Sequence, residues 1–89
     1  MDIYDVAAKF PVAKKYFSEG CILLNQGRIK DAGAKFNATL DLYKSFAESG
    51  DGQVSYHFGI DIKEGIENSE MMLNAAFDKS RKAARGITN

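Results

Sequence analysis

The chain has 89 residues, with twelve Lys and Arg balanced by twelve Asp and Glu, so its formal net charge is zero. That describes one small domain and argues against a duplex nucleic-acid binder, which needs a broad basic face. A few cations still suffice for a small anion. With 45% apolar and 11% aromatic residues a packed core is within reach. A domain this small also leaves much surface exposed, and self-association is one way to bury it.

The first element predicted is a short helix over about residues 2–10. Asp2 caps it, Asp5 lies in its first turn, and Ile3, Val6, Ala7 and Phe10 form its apolar stripe. Pro11 disfavours helix at Phe10 and predicts a break or kink there. A second segment follows over Val12–Asn25, with Ala13, Tyr16, Phe17, Gly20, Ile22, Leu23 and Leu24 as a wide apolar face. Gly27 either caps that segment in the left-handed conformation or is carried through a continuous helix.

Residues 27–47 give the clearest helical signal. Ile29, Ala32, Phe36, Leu40, Tyr43 and Ala47 recur every three or four positions, while Lys30, Asp31, Lys35, Asp41 and Lys44 fall mostly on other faces. Ser49-Gly50-Asp51-Gly52 reads as a turn. A last helix is expected over about Ser55–Ala84, ended by Gly86, with Phe58, Ile62, Ile66, Ser69, Leu73, Ala76 and Phe77 inside. Asp61, Glu64, Glu67 and Glu70 form an acidic stripe early in it, and Lys79, Arg81, Lys82 and Arg85 follow, an order that suits the helix dipole. Val54–Phe58 is the one short strand candidate, too small to carry a sheet. The expected architecture is therefore all-α: a short N-terminal helix and an antiparallel helical hairpin, self-associating. The apolar positions exceed what one hairpin covers, which predicts a homo-oligomer with at least one two-fold axis.

Catalysis finds little support. The lone His57 and lone Cys21 are far apart in sequence, and no zinc spacing, phosphate-binding Gly-rich loop or calcium loop occurs. Met71-Met72 reads as core filler. No enzyme, metal or cofactor is expected. Cys21 has no partner for an intrachain disulfide and reads as a structural, unreactive thiol. The start Met-Asp-Ile-Tyr-Asp lacks the features of a signal peptide, and no apolar run approaches membrane-spanning length. A soluble, cytoplasmic protein without membrane partners is the expectation.

Two resemblances bear on function. Tyr16, Gly20, Leu23, Gly27, Ile29, Ala32, Phe36 and Leu40 sit at nearly the spacing of a tetratricopeptide repeat, with Lys44 near the place of its closing proline. This implies a helical-hairpin protein-interaction module with a single such unit, which cannot bury its own face alone. Tyr16, then Ile29-Lys30-Asp31-Ala32-Gly33, together with Phe58 and Ile66-Glu67-Asn68-Ser69-Glu70-Met71-Met72-Leu73-Asn74-Ala75-Ala76, resembles the phage-encoded anti-CBASS sponges. That resemblance implies sequestration, without turnover, of cyclic di- or trinucleotides in a host cytoplasm. The family's hydroxyl residue two after the lysine is Ala32 here, and its arginine before the second aromatic is His57.

A cyclic dinucleotide needs aromatic faces for its bases and cations for its phosphates. Tyr16 and Phe17 supply the first, Arg28 and Lys30 the second, and His57 a candidate second anion contact. Taken singly, Tyr16 and Phe17 read as core, Arg28 and Lys30 as solvated cations, and His57 as a partly buried helix-start residue. The two resemblances separate at Gly27: a sharp turn there favours the repeat, and a continuous helix over residues 18–47 favours the sponge.

Overall fold

The computed structural model describes residues 1–84. Arg85 and Gly86, expected near the end of the last helix, lie outside them. Three α-helices account for the described chain: α1 (Ile3–Asn25), α2 (Ile29–Ala47) and α3 (Gly52–Ala84). The short strand candidate at Val54–Phe58 is helical, within α3.

α1 opens on a capping box. The Asp2 side chain accepts from the Asp5 backbone N–H at 2.9 Å, and the Asp5 carboxylate accepts from the Asp2 N–H in return. The helix then runs through Pro11 without the expected end, so the short first helix and the Val12–Asn25 segment are one element. Pro11 and Ala7 are both exposed, on the side where water can take the carbonyl that a proline leaves free. Val6, Phe10 and Ala13 continue one buried face across the proline, and packing on that face outweighs the local preference for a break.

α1 ends in a Schellman turn. Gly27 has φ 77°, its N–H donates to Leu24 O at 3.1 Å, and the Arg28 N–H reaches back to Leu23 O at 2.9 Å. The chain reverses there and α2 begins at Ile29. A second turn, closed by the Glu48 and Ser49 N–H groups on Lys44 O and Phe46 O, leads to α3. α3 starts at Gly52, earlier than its apolar pattern suggests. Asp51 explains the difference: its Oδ1 accepts from the Gln53 N–H at 3.0 Å and its Oδ2 from the Ile3 N–H at 2.9 Å. One carboxylate thus serves the starts of α1 and α3 together. The Ser49 hydroxyl donates to the Met1 carbonyl beside it.

α2 packs against both other helices along its length, and α1 meets α3 more sparingly. One buried cluster joins Val6, Phe10 and Ala13 of α1 to Tyr43 and Phe46 of α2 and Val54 and Ile62 of α3. A second, at the other end, joins Leu24 to Ala32, Phe36 and Ala76. Successive helices therefore run in opposite directions. Phe10 is the hub of the first cluster, with ring centroids 4.9 Å from Phe58, 5.5 Å from Tyr43 and 5.6 Å from Phe46. Because α2 is covered on two sides, its buried stripe includes Thr39 and Phe46 as well as Ala32, Phe36 and Tyr43, while Ala47 is exposed. Phe77, expected inside, is exposed, with Arg81 5.4 Å from its ring centroid.

Candidate functional site

Two helices that cross leave grooves along their flanks, and the grooves here differ in charge. Between α1 and α2 runs an open depression of about 500 Å³ lined by Glu19, Ile22, Leu23, Arg28, Asp31, Ala34 and Lys35. The Schellman turn sets Arg28 at its end, one residue before α2. There the Arg28 guanidinium donates to Asp31 at 2.6 Å, an i,i+3 pair with both side chains largely exposed. Further along, the Lys35 ammonium stands 3.1 Å from Glu19 Oε1 and 4.9 Å from the centroid of the Tyr16 ring. Two cations face two carboxylates, so the groove is neutral overall. The exposed Arg28–Asp31 pair is worth little by itself, about 0–1 kcal/mol, whereas the Lys35–Glu19 pair is half-buried, with Glu19 Oε1 out of reach of solvent. The carboxylates nevertheless stay in place and oppose an incoming phosphate.

Lys30 points elsewhere. It lines a second groove, about 430 Å³, between α2 and α3, with Ile29, Gly33, Asn37, Leu73, Ala76, Phe77 and Ser80. No ion pair engages Lys30 among the described residues. Phe17 is half-buried, edge-on to Phe36 at 5.6 Å, and belongs to the second core cluster. His57 is exposed on α3, edge-on to Tyr56 at 4.9 Å, one residue before the Phe58 that meets Phe10. The five residues singled out from sequence are therefore dispersed within one chain. Tyr16 and Arg28 belong to the α1/α2 side, Lys30 to the α2/α3 groove, Phe17 to the core, and His57 to the opposite end of the molecule. Lys35, the cation that meets Tyr16, carries no sequence signal of that role, because the contact depends on how α1 crosses α2.

Cys21 is half-buried against the second cluster, and burial pushes its thiol above the ordinary range, which disfavours the nucleophilic thiolate. Among the described residues no group of three or more His, Cys, Asp and Glu side chains could hold a metal ion. Among the described residues no helix is long and apolar enough to cross a membrane.

Gly20, Leu23, Ile29, Ala32 and Phe36, by contrast, are brought together beside the Gly27 turn. A Cβ on Gly20 would stand 2.6 Å from the Phe36 ring, so this glycine permits a close approach of α1 to α2. Ala32 and Phe36 are fully buried beside it, Leu23 and Ile29 flank the same cluster, and Gly27 makes the turn. No protein-family model matches the chain, and comparison with curated proteins and with solved structures gives no significant match.

Proposed function

We propose that this chain is a non-enzymatic helical interaction module, in which the second half of α1 and α2 form one tetratricopeptide-like unit and α3 covers the face such a unit cannot bury alone. The observation that carries this reading is the seating of Phe36 against Gly20 across the Gly27 turn, with Ala32 closing the gap. Small residues that let two backbones approach, followed by a tight reversal, are what the repeat resemblance implies at these positions. The α1/α2 groove supports the same reading. Its walls are Ile22, Leu23 and Ala34, rimmed by charges that already neutralise one another, which suits an amphipathic peptide better than a dianion.

One observation favours a second reading, the sponge. Tyr16 lies against Lys35 at the groove that Arg28 borders, so an aromatic face and two cations share one side of the α1/α2 pair. In that reading the protein sequesters cyclic oligonucleotides, and Lys35 takes the role the sequence pattern gave to Lys30. Calorimetry of the full chain against a panel of cyclic di- and trinucleotides separates the two. No heat with any of them is expected. Micromolar binding that Lys35→Ala abolishes would overturn the interaction reading in favour of sequestration. A photo-crosslinking residue placed at Ala34 supplies the complementary measurement, with a single protein adduct in cells expected.

A further inference from the structure

The outer faces of α1 and α3, away from the core, carry apolar side chains that no described residue of the chain covers. On α1 these are Tyr4, 81% exposed, then Ala8, and Ile22, 56% exposed, with Lys15 between the last two. On α3 they are Tyr56, 83% exposed, Ile60, 76%, and Met71, 60%, with Glu64 and Glu67 between the last two. Each set falls on one side of its helix at steps of about three, four or seven residues. Both read in the same order along the chain: aromatic, aliphatic, charged, aliphatic. The charges are opposite. Within the stripes, Lys15 on α1 and Glu64 and Glu67 on α3 have no ion-pair partner among the described residues, and Lys63, also unpaired, borders the α3 stripe without reversing its net negative charge. The acids of α1 are otherwise engaged: Asp2 and Asp5 in the capping box, Glu19 with Lys35.

We infer that a second copy of this chain covers these faces, α1 of one copy lying beside α3 of the other with Lys15 against Glu64 and Glu67. α1 and α3 both run against α2 and are therefore parallel to each other. A two-fold axis along the bundle lays α1 beside the partner's α3 twice, without sliding either helix along its length. Residues level with each other inside one chain then meet across the interface. Phe10 touches Phe58 at one end, and Leu24 shares a cluster with Ala76 at the other. To within about one helical turn this sets Tyr4 level with Tyr56, Ala8 with Ile60, Lys15 with Glu64 and Glu67, and Ile22 with Met71. The two stripes match in order and in charge, and in spacing to within about one helical turn. This assembly stands whichever occupant the α1/α2 groove takes.

Charge reversal on the full chain tests it by sedimentation, with far-UV circular dichroism to verify helicity. The wild type sediments as an assembly at micromolar concentration. Lys15→Glu alone, and Glu64→Lys with Glu67→Lys alone, each raise the dissociation constant about ten-fold or more, because both copies of the contact become like-charged. Mixed in equal amounts, the two variants re-form the assembly, since each contact again joins opposite charges. Ile60→Ser removes apolar contact without touching charge, and weakens association also in high salt. A wild type that remains monomeric, variants that assemble as the wild type does, or a mixture that stays apart would each overturn the proposal.

Discussion

Glycine inside a helix ordinarily costs roughly 0.5–1 kcal/mol relative to alanine, because the flexible residue loses more freedom on folding. α1, α2 and α3 contain glycines on which this rule gives opposite outcomes. At Gly33 nothing lies within 4 Å of an added Cβ, so Gly33→Ala should stabilise by roughly the full 0.5–1 kcal/mol. At Gly20 the added methyl meets three atoms of the Phe36 ring at 2.6–2.9 Å. That ring is fully buried and edge-on to Phe17 at 5.6 Å, so it has no open space to move into. Overpacking of this kind costs about 1–3 kcal/mol, and the helix gain offsets only part of it. Gly20→Ala should therefore destabilise by about 1–2 kcal/mol, and Gly20→Val by more, since the larger side chain must also displace α2. For a domain of this size each kcal/mol moves the midpoint by about 4–8 °C. Thermal and urea unfolding of Gly20→Ala, Gly33→Ala and the wild type, followed by circular dichroism at 222 nm (the helix band), measure both signs. A Gly20→Ala protein as stable as Gly33→Ala would refute the close approach of α1 to α2, and with it the physical basis of the repeat-like reading.

Asp51→Ala removes acceptors from the starts of both α1 and α3, and should cost about 1–3 kcal/mol in urea unfolding, more than Asp5→Ala, which disturbs one exposed cap. Ser69 is fully buried, yet its hydroxyl donates only back to Gly65 O at 2.6 Å, so Ser69→Ala should be neutral or slightly stabilising in the same assay. Burial, and secondarily the charge of Asp61, raises the Tyr43 phenol above its ordinary value. The native state thus holds that proton more tightly than the unfolded chain does, and the stability it adds is present below about pH 10 and lost as pH climbs further. Alkaline titration of unfolding should show this loss, reduced in Tyr43→Phe. Cys21 should react with a thiol reagent at neutral pH far more slowly than the same protein in urea, and equal rates would show that burial does not govern the thiol.

The helices were legible because apolar residues at three- and four-residue steps leave few alternatives, but the sequence left Gly27 open between a left-handed cap and a continuous helix, since one glycine costs a helix only about 1 kcal/mol. Pro11 misled because a local rule about one missing N–H was set against a buried face that continues on both sides of it. The start of α3 was read late because Gly52 and Gln53 carry no apolar pattern. What begins that helix is Asp51, whose second oxygen is engaged by Ile3 near the other end of the sequence. Phe77 shows the same limit in reverse. Its spacing fits the buried stripe, but it stands exposed at the α2/α3 groove that Ile29 and Lys30 of the first turn of α2 also line.

The dispersal of Tyr16, Phe17, Arg28, Lys30 and His57 has one physical origin. Residue types suggest what a side chain can do, whereas the angle at which helices cross decides what it meets. Arg28 and Lys30 are separated by a single residue, and that step turns them into grooves on opposite flanks of α2. Once placed, the charges sort into two kinds. Those inside the α1/α2 groove are paired within the chain, and those on the outer stripes of α1 and α3 are not. Paired exposed charges add little binding energy to a new ligand, since each must first give up a neighbour, whereas unpaired charges beside exposed Tyr, Ile and Met side chains gain one. Electrostatic gain on association is therefore expected on the outer faces of the bundle, whereas binding in the α1/α2 groove must rest on its apolar walls, Ile22, Leu23 and Ala34.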